Sequence, residues 1–162
     1  MSIARTLIPL MLALAACSPP AGNTSGEAGA DTAAANSSPL ATNCDAPAVP
    51  LALGASVSGD IPAASGYPAN ARYYCVNVGQ GVQSVSIDLT GMSVDLDLYV
   101  GSGNLQSVQG VDISAGENYE WKSNEFGTGD EHVVIQNPPA GVYYVEIVSF
   151  EGQASPYTIA TR

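Results

Sequence analysis

The sequence predicts an all-β domain, an antiparallel sandwich of two sheets of the jelly-roll type. Residues 84–90 and 94–100 alternate apolar and polar side chains, and this period of two is typical of strands with one buried face. No stretch of a dozen residues has apolar side chains at helical spacing, so a parallel sheet would lack its crossover helices. Charged residues are only 12% of the chain, which favours short strands and turns over surface helices.

Six further segments are predicted as strands because β-branched or aromatic residues lie between turn residues. They are residues 56–61, 71–78, 119–122, 132–136, 142–150 and 157–161. The sequence Asn-Pro-Pro-Ala-Gly at 137–141 is an example of the intervening turns. Eight short strands in a domain of about 119 residues are best accommodated by two stacked sheets.

The amino terminus has the features of a secretory signal peptide over residues 1–16. One positive charge, Arg5, precedes an apolar run of roughly ten residues, which at about 1.5 Å per residue is too short to cross a membrane core of about 30 Å. Residues 14–17, Leu-Ala-Ala-Cys, resemble the bacterial lipobox. This resemblance implies a lipidated Cys17 and a membrane anchor, and Ser18 favours the outer membrane. An ordinary signal peptide cleaved near Cys17 is the alternative.

The remainder divides into a tether and one domain. Residues 17–43 are rich in Ala, Ser, Thr, Gly and Pro and lack aromatic residues, so we expect a disordered spacer. All eleven aromatic residues lie beyond position 66, within the predicted domain at 44–162. In an oxidising compartment, Cys44 and Cys75 are expected to form a disulfide. Two separate buried thiols are the alternative.

Charge and residue content exclude several functions. Lys and Arg total 4 against 15 Asp and Glu, a net charge of -11, so nucleic-acid phosphates would be repelled. His132 is the single histidine, and the chain has no Gly-x-Ser-x-Gly sequence. We therefore expect no catalytic residues and a structural role for His132.

Several sequences in order resemble the bacterial pre-peptidase C-terminal domain over residues 53–161. The most specific are Asp-Leu-Asp-Leu-Tyr-Val at 95–100 and Ala-Gly-Val-Tyr-Tyr-Val at 140–145. The resemblance implies a jelly-roll-like sandwich, usually attached to secreted peptidases, with relatives that bind collagen and use calcium for stability. Here a lipobox and a spacer precede the domain, so we expect it to act alone or on a partner.

Acidic residues provide candidate calcium ligands. Asp95 and Asp97 lie two residues apart on a predicted strand, so their carboxylates project from one face roughly 7 Å apart. With Asp88 or turn carbonyls they would form part of a calcium site, whereas in the alternative one caps a turn and the other is solvated. A second acidic group is more simply explained as a solvated loop: Glu117, Glu120, Glu125, Asp130 and Glu131.

Aromatic side chains provide a candidate surface for peptide or sugar. This predicted ligand-binding set consists of Tyr99, Tyr119, Trp121 and Tyr144. Adjacent strand residues point to opposite faces, so only one of Tyr143 and Tyr144 is available at a surface. The alternative is that most of these rings pack in the interior.

Together these features predict a non-catalytic lipoprotein of the bacterial cell envelope. It would bind an extracytoplasmic protein or a polysaccharide and could be stabilised by calcium. The alternative is an accessory or chaperone-like domain for an exported hydrolase.

Overall fold

The computed structural model describes residues 44–64, 69–109, 118–149 and 151–162. The predicted signal peptide, Cys17 and the tether lie outside these residues. Within the described ranges no helix is long and apolar enough to cross a membrane. The strands are β1 Val49–Pro50, β2 Ser56–Ile61, β3 Ala71–Val78, β4 Ser84–Thr90, β5 Asp97–Ser102, β6 Trp121–Ser123, β7 Glu131–Gln136, β8 Gly141–Val148 and β9 Ser155–Thr161. A 3₁₀ turn, Leu105–Ser107, follows β5.

The strands form two sheets, with the order β1-β3-β8-β5-β6 in one and β2-β9-β4-β7 in the other. The recorded pairings are antiparallel except between β1 and β3, which are parallel. The chain changes sheet after nearly every strand, as jelly-roll folds do. The predicted all-β sandwich is confirmed.

Strand boundaries differ from the prediction where a partner strand ends. We expected one strand over 94–100, but β5 begins at Asp97 because its first partner is Val148, the last residue of β8. The two-residue strand β1 was not predicted, since Val49 and Pro50 are too short a segment to show any periodicity.

The main hydrophobic core lies between the sheets, where the predicted alternation places aliphatic side chains. Val85, Ile87 and Leu89 of β4 are fully buried and share this core with Val145 and Ile147 of β8.

Two tyrosines bring polar atoms into the same core. The hydroxyls of Tyr74 and Tyr157 are 2.8 Å apart and hydrogen-bonded, and their rings meet edge to face. Each buried hydroxyl therefore has a partner, which avoids the cost of leaving it unsatisfied.

The outer face of the five-stranded sheet is also buried, which the alternation did not predict. A second cluster packs there and contains Tyr73, Tyr99, Leu105, Val108 and Tyr144. The outward-pointing side chains of β3, β5 and β8 are therefore covered, and Asp97 and Tyr99 are buried instead of lying on the solvated face that an alternating strand would give them.

The predicted disulfide forms between Cys44 and Cys75, whose Cα atoms are 6.0 Å apart. It attaches the start of the domain to the outer face of β3. The next residue reinforces this, because the backbone N–H of Asp45 donates to the hydroxyl of Tyr144 at 3.0 Å. Ala48 belongs to the covered cluster as well.

Removing the disulfide should lower the stability of the domain substantially. The two cysteines are 31 positions apart, and closing a loop of that length contributes about 3 to 4 kcal/mol in the chain-entropy model. We expect Cys44→Ala to lower the free energy of unfolding by about this amount in urea titrations. Wild-type protein with reductant should unfold at the same urea concentration as the variant, and an unchanged midpoint with reductant would contradict the prediction.

Candidate functional site

A cleft opens at the edge of the five-stranded sheet, and we call it the edge cleft. Its volume is about 300 Å³. The residues that line it come from the end of β5, from β6 and from the turn that leads into β8: Ser102, Gly103, Glu120, Trp121, Pro139, Ala140, Gly141, Val142 and Tyr143.

Two aromatic rings form the wall of the edge cleft. Trp121 begins the edge strand β6, is half-buried and packs against the main core. Its ring centroid lies 5.9 Å from that of Tyr143, at a tilt of 45°. The hydroxyl of Tyr143 donates to the carbonyl oxygen of Pro139 at 3.0 Å, which holds the turn against the ring. The wall is therefore fixed before any ligand arrives.

Glu120 supplies the charge of the edge cleft. Its backbone N–H donates to the carbonyl of Val100 at 2.9 Å, continuing the β5–β6 ladder. Its carboxylate oxygen Oε1 accepts hydrogen bonds from the backbone N–H of Ser102, at 2.9 Å, and from the Ser102 hydroxyl. Burial raises the pKa of the Tyr143 hydroxyl, and the negative charge of Glu120 adds to the rise. Within the described ranges, the basic residues Arg72, Lys122 and Arg162 are not among those that line this cleft.

The loop between β6 and β7 presents an exposed aromatic ring. Phe126 is 99% exposed, far more than the other large apolar side chains at the described surface. Buried Glu131 holds the base of this loop, because its carboxylate accepts from the Ser123 hydroxyl and from the backbone N–H of Glu125. The backbone N–H of His132 in turn donates to Ser123 Oγ at 3.1 Å. The loop is thus braced although its tip is in solvent.

Asp97 lies on the covered face and differs from a solvated carboxylate. It is 7% exposed, and burial raises its pKa to about 7, with the negative charges of Asp95 and Glu131 adding to the rise. The Tyr99 hydroxyl and the charge of Lys122 oppose this rise. Near neutral pH, Asp97 is therefore close to half protonated.

Glu146 lies deeper on the same face. It is fully buried, and β-sheet pairing sets it between Tyr73 of β3 and Tyr99 of β5. The Tyr73 hydroxyl donates to Glu146 Oε1 at 3.0 Å, while Oε2 has no hydrogen-bond partner among the described residues. Burial raises the pKa of Glu146 to about 8. This carboxyl is mostly protonated at neutral pH.

The predicted calcium ligands are only partly brought together. Asp95 and Asp97 interact, and Asp95 Oδ1 is buried without a hydrogen-bond partner in the described part of the chain. Asp88 is on the outer face of the other sheet, where it contacts His132 and Arg162 instead. No group of three or more Asp, Glu, His or Cys side chains suited to a metal occurs in the described ranges. The two aspartates therefore fit calcium only as part of a ligand set completed by other oxygens.

The predicted aromatic set is divided between two sides of the five-stranded sheet. Trp121 lines the edge cleft, whereas Tyr99 and Tyr144 are buried in the cluster on the outer face. Tyr119 is half-buried against Tyr99, with ring centroids 4.9 Å apart, and Lys122 Nζ lies 5.4 Å from the Tyr119 ring centroid. Of the four, Trp121 alone contributes to the edge cleft.

Three features of these sites were not singled out by the sequence. Glu120 was considered only as part of a solvated acidic loop, and Glu146 was counted within a strand. Phe126 was not considered, although a lone aromatic residue inside a polar, Gly-rich segment is a signal that could have identified it. His132, expected to be structural, pairs with Asp88 at the surface.

The buried carboxyls should make the folded state less stable as pH rises. In the unfolded chain, Asp97 and Glu146 lose their protons near their ordinary pKa values, 3.8 and 4.5, whereas the folded state retains these protons up to about 7 and 8. Between about pH 4.5 and 8 the unfolded state binds fewer protons, so stability falls as pH rises.

We therefore expect thermal melts in EDTA to give a melting temperature several degrees lower at pH 8 than at pH 5. Glu146→Gln should reduce this difference, and Glu151→Gln, which changes an exposed carboxylate, should not. A melting temperature that is constant or rises over this pH range would contradict the assignment.

Comparisons with known proteins agree with this architecture. Residues 70–149 match the family described as bacterial pre-peptidase C-terminal domain. The crystal structure of the pre-peptidase C-terminal domain of collagenase from Bacillus anthracis has 14% identity and a TM-score of 0.52, covering 71% of this chain and 94% of that one. Aeromonas hydrophila PliG, a periplasmic lysozyme inhibitor of g-type lysozyme, has 16% identity and a TM-score of 0.49, covering 70% and 93%.

A search of curated proteins gave no match. The collagenase domain is evidence for the fold, and the family match covers all six strands from β3 to β8. The family consists of non-catalytic modules. The β-sandwich of this chain belongs to the bacterial pre-peptidase C-terminal domain family.

Proposed function

We propose that this chain is a non-catalytic module that binds another extracytoplasmic protein, with Phe126 as a principal contact. The observation that carries the proposal is a phenyl ring that is 99% exposed on a loop braced by a buried carboxylate. Burying such a ring on a partner would contribute about 1.5 to 3 kcal/mol. Because Glu131 already orders the loop base, binding has to order only the tip, which lowers the entropic cost.

The charge around Phe126 favours a basic protein as the partner. Glu125 and Asp130 are exposed on the same loop, and the chain carries a net charge of -11. A surface with basic side chains around an apolar pocket complements this arrangement. An anionic lipid surface would instead repel the loop.

A polysaccharide ligand is supported less well than a protein. Polysaccharides need exposed aromatic faces on which sugar rings stack, but Tyr99 and Tyr144 of the predicted platform are buried. Trp121 is half-buried and packs beside Tyr143, so its free face is small.

The proposed location is the bacterial cell envelope, with a lipid on Cys17 anchoring the chain to the outer membrane. The signal-like residues 1–16, the lipobox and the disulfide are the support for export and lipidation. Residues 17–43 would then act as the spacer between lipid and domain. The family association leaves an exported hydrolase as one identity for the bound protein, in which case the module is an accessory domain.

Site-specific crosslinking in cells tests the protein-binding proposal. A photoreactive phenylalanine analogue at Phe126 should give a discrete protein adduct, and the same analogue at Val49, which is 54% exposed, should not. With the partner purified, Phe126→Ala should weaken the affinity of the full chain roughly ten- to 100-fold, whereas Val49→Ala should leave it unchanged.

Equal crosslinking at both positions, or equal affinity of both variants, would contradict a role for Phe126. An adduct with lipid rather than protein would replace the protein partner with a membrane surface.

We further propose that calcium contributes to the stability of this module through Asp95 and Asp97. The support is the unpartnered, buried Oδ1 of Asp95 and the mutual repulsion of the two carboxylates. A bound divalent cation would offset that repulsion and stabilise the ionised form of Asp97. Carbonyl and water oxygens would have to complete the six to eight ligands that calcium requires.

Thermal melts of the full chain in EDTA and in millimolar calcium test this second proposal. A site of ten-micromolar affinity at one millimolar calcium would add roughly 2.7 kcal/mol and several degrees. Asp95→Asn should abolish the increment, while Asp60→Asn, at an exposed position on β2, should preserve it. Identical wild-type melts in EDTA and calcium would refute the calcium site.

A further inference from the structure

We infer that the edge cleft binds a basic side chain, lysine or arginine, presented by a partner protein. The partner itself rests on the proposed function, whereas the chemistry of the cleft stands on the residues that line it. This cleft involves Glu120 and Trp121 and does not depend on Phe126.

The size and opening of the edge cleft suit a single side chain. Its volume of about 300 Å³ lies at the lower limit of the range of about 300 to 1,000 Å³ typical of small-molecule sites. Gly141 lies in the lining, and a Cβ atom built there would meet no atom within 4 Å, so the backbone leaves this side open. Gly103, whose N–H donates to the carbonyl oxygen of Val142 at 2.9 Å, has a φ of +91°, which favours glycine and keeps this turn free of a side chain as well.

A positioned carboxylate gives the edge cleft its preference for cations. Glu120 Oε1 is held by the backbone N–H and the hydroxyl of Ser102, so the orientation of the carboxylate is fixed. In the described part of the chain, both hydrogen bonds to this carboxylate are accepted by Oε1. The other oxygen, Oε2, can therefore accept a hydrogen bond from an ammonium or guanidinium group. The lining residues that the structure describes include no basic side chain that could attract an anion.

The aromatic and apolar lining suits the rest of a basic side chain. The part of the half-buried Trp121 ring that lines the cleft can attract a cation through the ring quadrupole, and Trp is the strongest of the aromatic residues in this respect, while buried Tyr143 supports that ring from behind. Pro139 and Val142 offer apolar surface for the aliphatic stem that lysine and arginine share. Carboxylate, ring faces and apolar surface together match the three parts of such a side chain.

Trp121 is the single tryptophan of the chain, so its fluorescence reports directly on the edge cleft. The full chain would be titrated with Nα-acetyl-arginine amide and with Nα-acetyl-citrulline amide, a neutral molecule of nearly the same shape. We expect the arginine probe to change Trp121 fluorescence saturably, with an affinity that falls as the salt concentration is raised. The citrulline probe should bind about tenfold more weakly.

Variants then identify the carboxylate. Glu120→Gln should weaken binding of the arginine probe about tenfold and leave the citrulline titration unchanged. Glu151→Gln removes the same charge from an exposed residue outside the lining and should change neither titration. If Glu120→Gln does not fold, the comparison of the two probes on the wild-type chain still decides the question.

Three results would overturn the inference. They are equal binding of the arginine and citrulline probes, no saturable response to either, and binding of the free polyamine spermidine at least as tight as that of the arginine probe. Failure here with successful crosslinking at Phe126 would reject the cleft assignment and keep the protein-binding function. Success here without crosslinking would reject the role of Phe126 and keep the cleft.

Discussion

Burial of both faces of the five-stranded sheet is the constraint on which the rest of this structure depends. One face packs against the four-stranded sheet, and the other is covered by the segment that the disulfide attaches to β3. The hydrogen bond from the Asp45 N–H to the Tyr144 hydroxyl fixes that segment over the centre of the sheet. Since the covered face is polar in part, its carboxyls must be neutral, paired or compensated by a cation.

This constraint separates the acidic residues into two groups with different physical roles. Asp97 and Glu146 are buried, and their raised pKa values limit the charge that the folded domain must accommodate. Glu120 and Glu125 lie outside the covered face, where a carboxylate stays hydrated and can meet a partner. Among the described residues, carboxylates and exposed or half-exposed aromatic rings occur together at the β6 edge and its following loop, where we propose that a partner binds.

The sequence was sufficient to predict the main core and insufficient to predict the covered face. Strict alternation defined β4 to the residue, because its apolar side chains all point between the sheets. The same rule treated Asp97 and Tyr99 as solvated, since polar residues on a strand normally mark the wet face. The segments that cover them, around residues 44–48 and 105–107, have no periodic pattern from which their packing on this sheet could be predicted.

For the candidate sites, the sequence identified some of the residues but not the contacts between them. Trp121 was identified as an aromatic candidate, but its proximity to Tyr143 depends on the turn before β8, and strand assignment alone does not give that contact. The role of Glu120 depends on Ser102, which lies 18 residues earlier in the chain. Long-range pairings of this kind are set by sheet topology, and a single sequence does not reveal them.

Side-chain footprinting tests most directly whether a protein in the envelope occupies the loop that carries Phe126, as we propose. Hydroxyl radicals would be generated on intact cells and on the purified chain, and oxidation at each residue measured by mass spectrometry. We expect strong oxidation of Phe126 in the purified chain and marked protection in cells, with Val49 oxidised equally in both. Equal oxidation of Phe126 in both samples would contradict it.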